Sequence, residues 1–241
     1  MAVGCSSGSP DEVEDRRLLD RRAGEIDREV RFVADEFRAG LEAVAQIDRP
    51  AVAVFGSARI PSGPEYDMAR RTGRLLAETG FAVVTGGGPG LMEATNRGCR
   101  EAGGLSVGFN IDLPHEQGSN AYLDISYTFE HFFARKTMFV KAAEGFIVFP
   151  GGFGTMDELF DSLTLIQNRK IDHFPVALVG PEHWGPLMGW VAERLLGGGL
   201  ISPVDLELLS VVDQPEDAVG HVVACFRHEC AHELGAIRAL G

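Results

Sequence analysis

At 241 residues, 45% of them apolar, the chain is long enough for one enzyme-sized domain with a sizeable core, although length alone also permits two. A formal net charge of −13 excludes nonspecific attachment to nucleic acid or to an anionic membrane, because both need a positive surface. A local basic pocket for a single phosphate is compatible with that balance.

Residues 1–14 are rich in Gly, Ser, Pro, Asp and Glu and read as a disordered N-terminus. They lack the basic start and apolar run of a secretory signal. Cys5, Cys99, Cys225 and Cys230 show no disulfide-like spacing, so a cytoplasmic location is expected. Residues 15–47 are expected to hold an amphipathic helix. Ile26, Val30, Val33, Phe37, Leu41 and Val44 recur every three or four positions with charged residues between them. That stripe reads as packing surface.

From residue 48 to 241 the pattern becomes an alternation. Apolar runs at 51–55, 82–85, 105–109, 125–128, 146–149 and 176–179 read as strands, separated by helical patterns at 65–78, 90–102, 129–143, 155–167 and 184–196. The alternation predicts an α/β, Rossmann-like doubly wound parallel sheet with helices on both faces. In such a sheet, ligands sit outside the carboxyl ends of the strands. No apolar run approaches the ~20 residues of a membrane helix, so no membrane partner is expected. In the final segment Cys225, His228, Cys230 and His232 fall on one expected helix and lack a C-x-x-C loop. No metal is expected there.

Two glycine turns follow predicted strands and open predicted helices. The first, Thr85-Gly86-Gly87-Gly88-Pro89-Gly90, lacks the third glycine of a dinucleotide fingerprint, because Leu91 stands in its place. The second, Pro150-Gly151-Gly152-Phe153-Gly154-Thr155, has Asp157 at the equivalent position. Neither is followed by the lysine of a P-loop. A mononucleotide therefore fits better than a dinucleotide or triphosphate. Gly151, Gly152 and Gly154 let the backbone approach a ligand, and a helix beginning near Thr155 would offer unpaired N–H groups to a phosphate. Gly56 and Ser57, after the first strand, are placed to add a hydroxyl and N–H groups. Thr155-Met156-Asp157-Glu158 also has the form of a capping box, in which Glu158 would serve only to start a helix.

Four segments in order carry a resemblance: Phe55-Gly56-Ser57-Ala58-Arg59, the turn and helix start from Thr85 to Ala94, Phe132-Phe133-Ala134-Arg135-Lys136, and Phe149-Pro150-Gly151-Gly152-Phe153-Gly154-Thr155-Met156-Asp157-Glu158. The last matches the PGGxGTxxE signature of the LOG ("lonely guy") family, cytokinin riboside 5'-monophosphate phosphoribohydrolases that were often labelled lysine decarboxylases. The resemblance runs from about residue 51 to 223. It implies hydrolysis of the N-glycosidic bond of a nucleoside 5'-monophosphate, a cytokinin nucleotide or AMP, to free base and ribose 5-phosphate.

By the same resemblance Glu158 is the catalytic carboxylate and Arg135 its partner. Gly56, Ser57, Gly87, Gly88, Lys136 and the run Gly151, Gly152, Phe153, Gly154 and Thr155 bind substrate. Glu116 contacts the nucleotide, and the protein is a homodimer or larger homo-oligomer. Glu93, read from its position alone, either contacts ligand or partner subunit or stands solvated in the first turn of its helix. No cofactor is expected. Lysine decarboxylation would need a Schiff-base lysine, and only Lys136, Lys141 and Lys170 exist, none in a recognisable cofactor setting. The remaining alternative is a nonenzymatic nucleotide carrier or sensor on the same fold.

Overall fold

Strands form where short apolar runs are buried on both sides of a sheet. β1 (Ala51–Phe55), β2 (Ala82–Thr85) and β6 (Val176–Val179) are buried along their whole length and have the bounds expected from the sequence. The computed structural model describes residues 23–113, 118–168, 170 and 174–227. β3 (Ser106–Ile111), β4 (Ile125–Phe129), β5 (Phe146–Val148) and an unexpected edge strand, β7 (Leu209–Val212), complete the sheet. All pairings are parallel, and the order is β4-β3-β2-β1-β5-β6-β7. The chain winds outward from β1 to β4, then crosses back to β5 and winds the other way. That reversal puts a crevice beside β1, at the strands' carboxyl ends.

Two apolar clusters sandwich the sheet. On one face α2 (Pro64–Glu78), α3 (Leu91–Glu101) and α8 (Pro215–Phe226) pack Tyr66, Leu76, Leu91 and Val222 onto alternate strand residues such as Val52, Val83 and Ile147. On the other, α1 (Ala23–Val44), α4 (Phe132–Ala142), α5 (Phe153–Gln167) and α6 (Pro181–Trp190) contribute Ala43, Met138, Phe139, Leu159 and Trp184. Trp184 is fully buried, and its indole N–H donates to Val179 O at 3.1 Å. α6 starts earlier than expected, at Pro181, and runs into a π-helical turn over Val191–Leu196. A four-residue helix, α7 (Pro203–Leu206), also went unforeseen.

α1 departs from expectation in its orientation. Ile26, Val30 and Leu41, half of the apolar stripe, are exposed, whereas Glu36, Gly40 and Ala43 are buried. Phe37 and Val44 still pack against the core.

Candidate active site

Three turns meet at the carboxyl ends of the adjacent strands β2, β1 and β5. Backbone hydrogen bonds join them: Leu91 N donates to Ser57 O at 3.0 Å, Ser57 N to Pro150 O at 3.0 Å, and Phe149 N to Phe55 O at 2.8 Å. Gly56, Ser57, the 86–90 turn and Gly151 thus share one rim. The Ser57 N–H, expected to be free for a phosphate, is occupied by Pro150, and Ser57 Oγ accepts from Arg59 N at 3.1 Å.

α5 begins at Phe153 rather than at Thr155. Gly152 is its N-cap, and no side chain caps it. The first-turn N–H groups of a helix have no partner within the helix. Among the described residues nothing stands within 4 Å of where a side chain at Gly152 or Gly154 would project, so they leave the space in front of this terminus open. Phe153 is 95% exposed beside it. The earlier start also overturns the capping-box reading: Thr155 and Glu158 both lie inside α5, and both are buried.

Glu158 lies within electrostatic reach of two cations. Burial pushes its carboxyl up to about 7, while the charges of Arg135 and Lys136 pull it down and Asp157 and Asp161 add to the rise. Arg135, on α4, donates from Nε to Phe109 O at 2.7 Å, and its guanidinium carbon lies 5.2 Å from the Phe139 ring centroid. The guanidinium packs over Gly86, where any side chain would collide with it. Lys136 Nζ binds Asp157 Oδ1 at 2.7 Å, so its charge is shared with the first half of α5. A buried carboxyl, a fixed guanidinium and an open helix N-terminus are therefore collected at one end of the sheet. Such a set can hold an anion and place a carboxylate against developing positive charge.

The sequence model of the family described as "Possible lysine decarboxylase" matches residues 92–222. A curated relative from Mycobacterium tuberculosis, named cytokinin riboside 5'-monophosphate phosphoribohydrolase, is 33% identical over 171 residues, covering 70% of this chain and 90% of that protein. The chain belongs to the LOG family. A second relative of this LOG-family chain, from Escherichia coli, is named pyrimidine/purine nucleotide 5'-monophosphate nucleosidase. It is 31% identical over 128 residues, 49% of this chain but only 28% of that protein. Among solved structures, the molybdenum cofactor carrier protein of Chlamydomonas reinhardtii superposes with a TM-score of 0.58 at 21% identity, over 74% of this chain and 99% of that one. That likeness concerns the fold alone.

The LOG-family chain brings Arg135, Lys136, Glu158 and the 151–155 turn together. Gly87 and Gly88 are instead buried: Asn120 Nδ2 donates to their carbonyls at 3.0 and 3.1 Å, and Asn120 N donates to Gly87 O at 2.8 Å. Glu93 accepts from Tyr66 OH at 3.2 Å. Glu116, His228, Cys230 and His232 lie outside the described residues.

Sequence reasoning missed the polar network beneath the 86–90 turn. Thr85 Oγ1 accepts from Gly87 N at 2.9 Å and donates to Asn96 Oδ1 at 2.6 Å, and Asn96 Nδ2 donates to Ser106 Oγ at 2.8 Å. The donors and acceptors around Asn110 orient its amide to donate to the Gly86 and Gly87 carbonyls at 3.2 Å each. One signal was available. Asn96 interrupts the buried face of α3 between Ala94 and Cys99, and a polar residue there needs a partner.

The raised carboxyl has a measurable signature in this LOG-family protein. In carbon-13 NMR of the substrate-free chain, the glutamate resonance lost in Glu158→Gln is expected to titrate near 7. A midpoint at the ordinary value of 4.5 would contradict the desolvated environment. The sign for stability follows from burial of the neutral form. The contribution is full below pH 4.5 and is lost as pH rises through about 7.

Proposed function

We propose that this LOG-family protein hydrolyses the N-glycosidic bond of a nucleoside 5'-monophosphate, with a cytokinin riboside monophosphate or AMP as substrate, releasing the base and ribose 5-phosphate. One observation carries the reading: the buried Glu158 carboxyl lies within electrostatic reach of Arg135 and Lys136, on the helix whose glycine-rich N-terminus is open among the described residues. The names of the mycobacterial and Escherichia coli relatives support the same reaction class.

In this reading the 5'-phosphate sits on the N–H groups of Phe153, Gly154 and Thr155, where the helix dipole and unpaired donors favour an anion. Gly152 and Gly154 leave room for its approach, and Lys136 adds positive charge. As the bond from the base nitrogen to C1' breaks, the ribose becomes positively charged. Glu158, as the carboxylate, stabilises that charge and takes a proton from the water that adds to C1'. The departing base nitrogen takes a proton from solvent, and Glu158 returns the water's proton to solvent, so that water is split between C1' and the base. Arg135 holds the ribose oxygens and keeps Glu158 ionised more readily than burial alone would allow. Gly56, Ser57, Gly87 and Gly88 shape the rim, and Glu116 contacts the nucleotide.

The reading includes a homodimer or larger homo-oligomer, supported by Phe132 and Phe133 exposed on α4 next to the apolar stripe of α1. It also includes a cytoplasmic setting, supported by the buried thiol of Cys99.

Anchoring by phosphate gives a direct test. Binding energy from the remote phosphate should be used to hold the sugar for reaction. AMP is therefore expected to be cleaved at least about 100-fold better than adenosine in kcat/KM. Equal values for the two would remove the phosphate cradle from the account.

A further inference from the structure

α4 carries Arg135 and Lys136 into the site, yet nothing local secures its first turn. Its N-cap residue, His131, makes no side-chain cap hydrogen bond, and the turn contains no acidic residue. A helix start left in that state exposes unpaired donors. The chain entering that turn is instead held from α1. Glu36 Oε1 accepts from Glu130 N at 2.5 Å and from His131 N at 3.4 Å, and Glu36 Oε2 lies 2.8 Å from His131 Nδ1. Both side chains are buried, 4% and 1% exposed.

The rest of the contact is built around that carboxylate. The His131 ring packs between Phe32 and Phe133, at centroid distances of 5.3 and 5.0 Å. Its Nε2 has no hydrogen-bond partner and faces Glu29 Oε1 at 3.6 Å. α1 comes this close because residue 40 is glycine: a Cβ there would lie 2.9 Å from both Met138 and Phe129. One turn further on, Arg135 N donates to His131 O at 3.2 Å. The far end of Arg135 is fixed on Phe109 O. Its guanidinium is therefore located from two sides, and one of them is Glu36. α1 lies outside the span matched by the family's sequence model.

We propose that Glu36 is a positioning residue: by holding Glu130 and His131, the entry to α4, from α1, it sets where Arg135 stands relative to Glu158. The proposal rests on the roles given above to Arg135 and Glu158. A contact that merely docked α1 would change stability without acting through Arg135.

A double-mutant cycle separates the two. kcat and KM for AMP, together with melting temperature, are measured for Glu36→Ala and Glu36→Gln, each in the wild-type and Arg135→Ala backgrounds. Glu36→Ala is expected to lower kcat about 10- to 100-fold, the scale of a small misplacement, with KM within about twofold because the 151–155 turn is untouched. Glu36→Gln can still accept from the backbone and donate to the other His131 tautomer, so it should recover most of kcat. In the Arg135→Ala background, Glu36→Ala should cost less than about twofold.

Equal losses in both backgrounds, or full activity in folded Glu36→Ala, would overturn the proposal. Should Glu36→Ala fail to fold, Gly40→Ala, which pushes α1 off α4 while keeping Glu36, takes its place in the same cycle with the same two outcomes. A wild-type protein that releases no base from any monophosphate would overturn the functional reading itself, and this proposal with it. Activity in the wild type with an unchanged cycle would overturn this proposal alone.

Discussion

Glu158→Gln is expected to lower turnover of AMP by about 10²- to 10⁴-fold, the scale of general acid–base groups, while the chain stays folded and still binds the nucleotide. Glutamine fills the same volume inside α5 but cannot carry negative charge or accept a proton from water. Because burial holds the Glu158 carboxyl at about 7, ionising it costs stability at higher pH. The variant has no such cost, so at pH 8 its melting temperature should equal or exceed that of the wild type. Near-normal turnover in this folded variant would move the chemistry away from Glu158.

Arg135→Ala should cost roughly 10²- to 10³-fold in kcat/KM, comparable with removing one preorganised donor from a reaction site. Three effects are lost together: the fork that meets ribose or phosphate oxygens, the cation within electrostatic reach of Glu158, and the anchor on Phe109 O. Arg135→Lys restores charge without the planar fork or the Nε donor, so it should recover only a minor part. Titration of the Glu158 carboxyl in Arg135→Ala should move upward from about 7, since a lowering influence has been removed. An unchanged midpoint together with unchanged kinetics would show that Arg135 is a surface charge.

The strands that build the site were legible because they are buried on both faces. β1 and β6 are unbroken apolar runs of five and four residues, β2 is three apolar residues ending in a buried Thr85, and burial leaves them no other reading. β7 was not legible: Leu209–Val212 is a half-exposed edge strand containing Ser210, and its pattern is too weak to stand out. The start of α5 was misplaced by two residues because Thr155 resembles a cap, while the true N-cap, Gly152, bears no side chain to announce itself.

α1 teaches a different lesson. Its apolar periodicity pointed to a face through Ile26, Val30 and Leu41, yet the helix buries Glu36, Gly40 and Ala43 against α4 and β4. Hydrophobic periodicity registers apolar partners, whereas this face meets backbone N–H groups and a histidine. The same limit hid Asn96, Asn110 and Asn120, whose partners are carbonyls and hydroxyls of distant turns. Arg135 and Glu158 were singled out through motif resemblance, and their nearness became visible only with the fold, in which α4 packs across β4, β3 and β1 and α5 starts after β5, the neighbour of β1.

The most direct test of N-glycosidic hydrolysis is to incubate the purified chain with AMP and quantify every product by chromatography and mass spectrometry. Adenine and ribose 5-phosphate should appear in equal amounts, and Glu158→Gln should abolish both under the same conditions. Adenosine with inorganic phosphate, or AMP bound and recovered intact, would contradict the account.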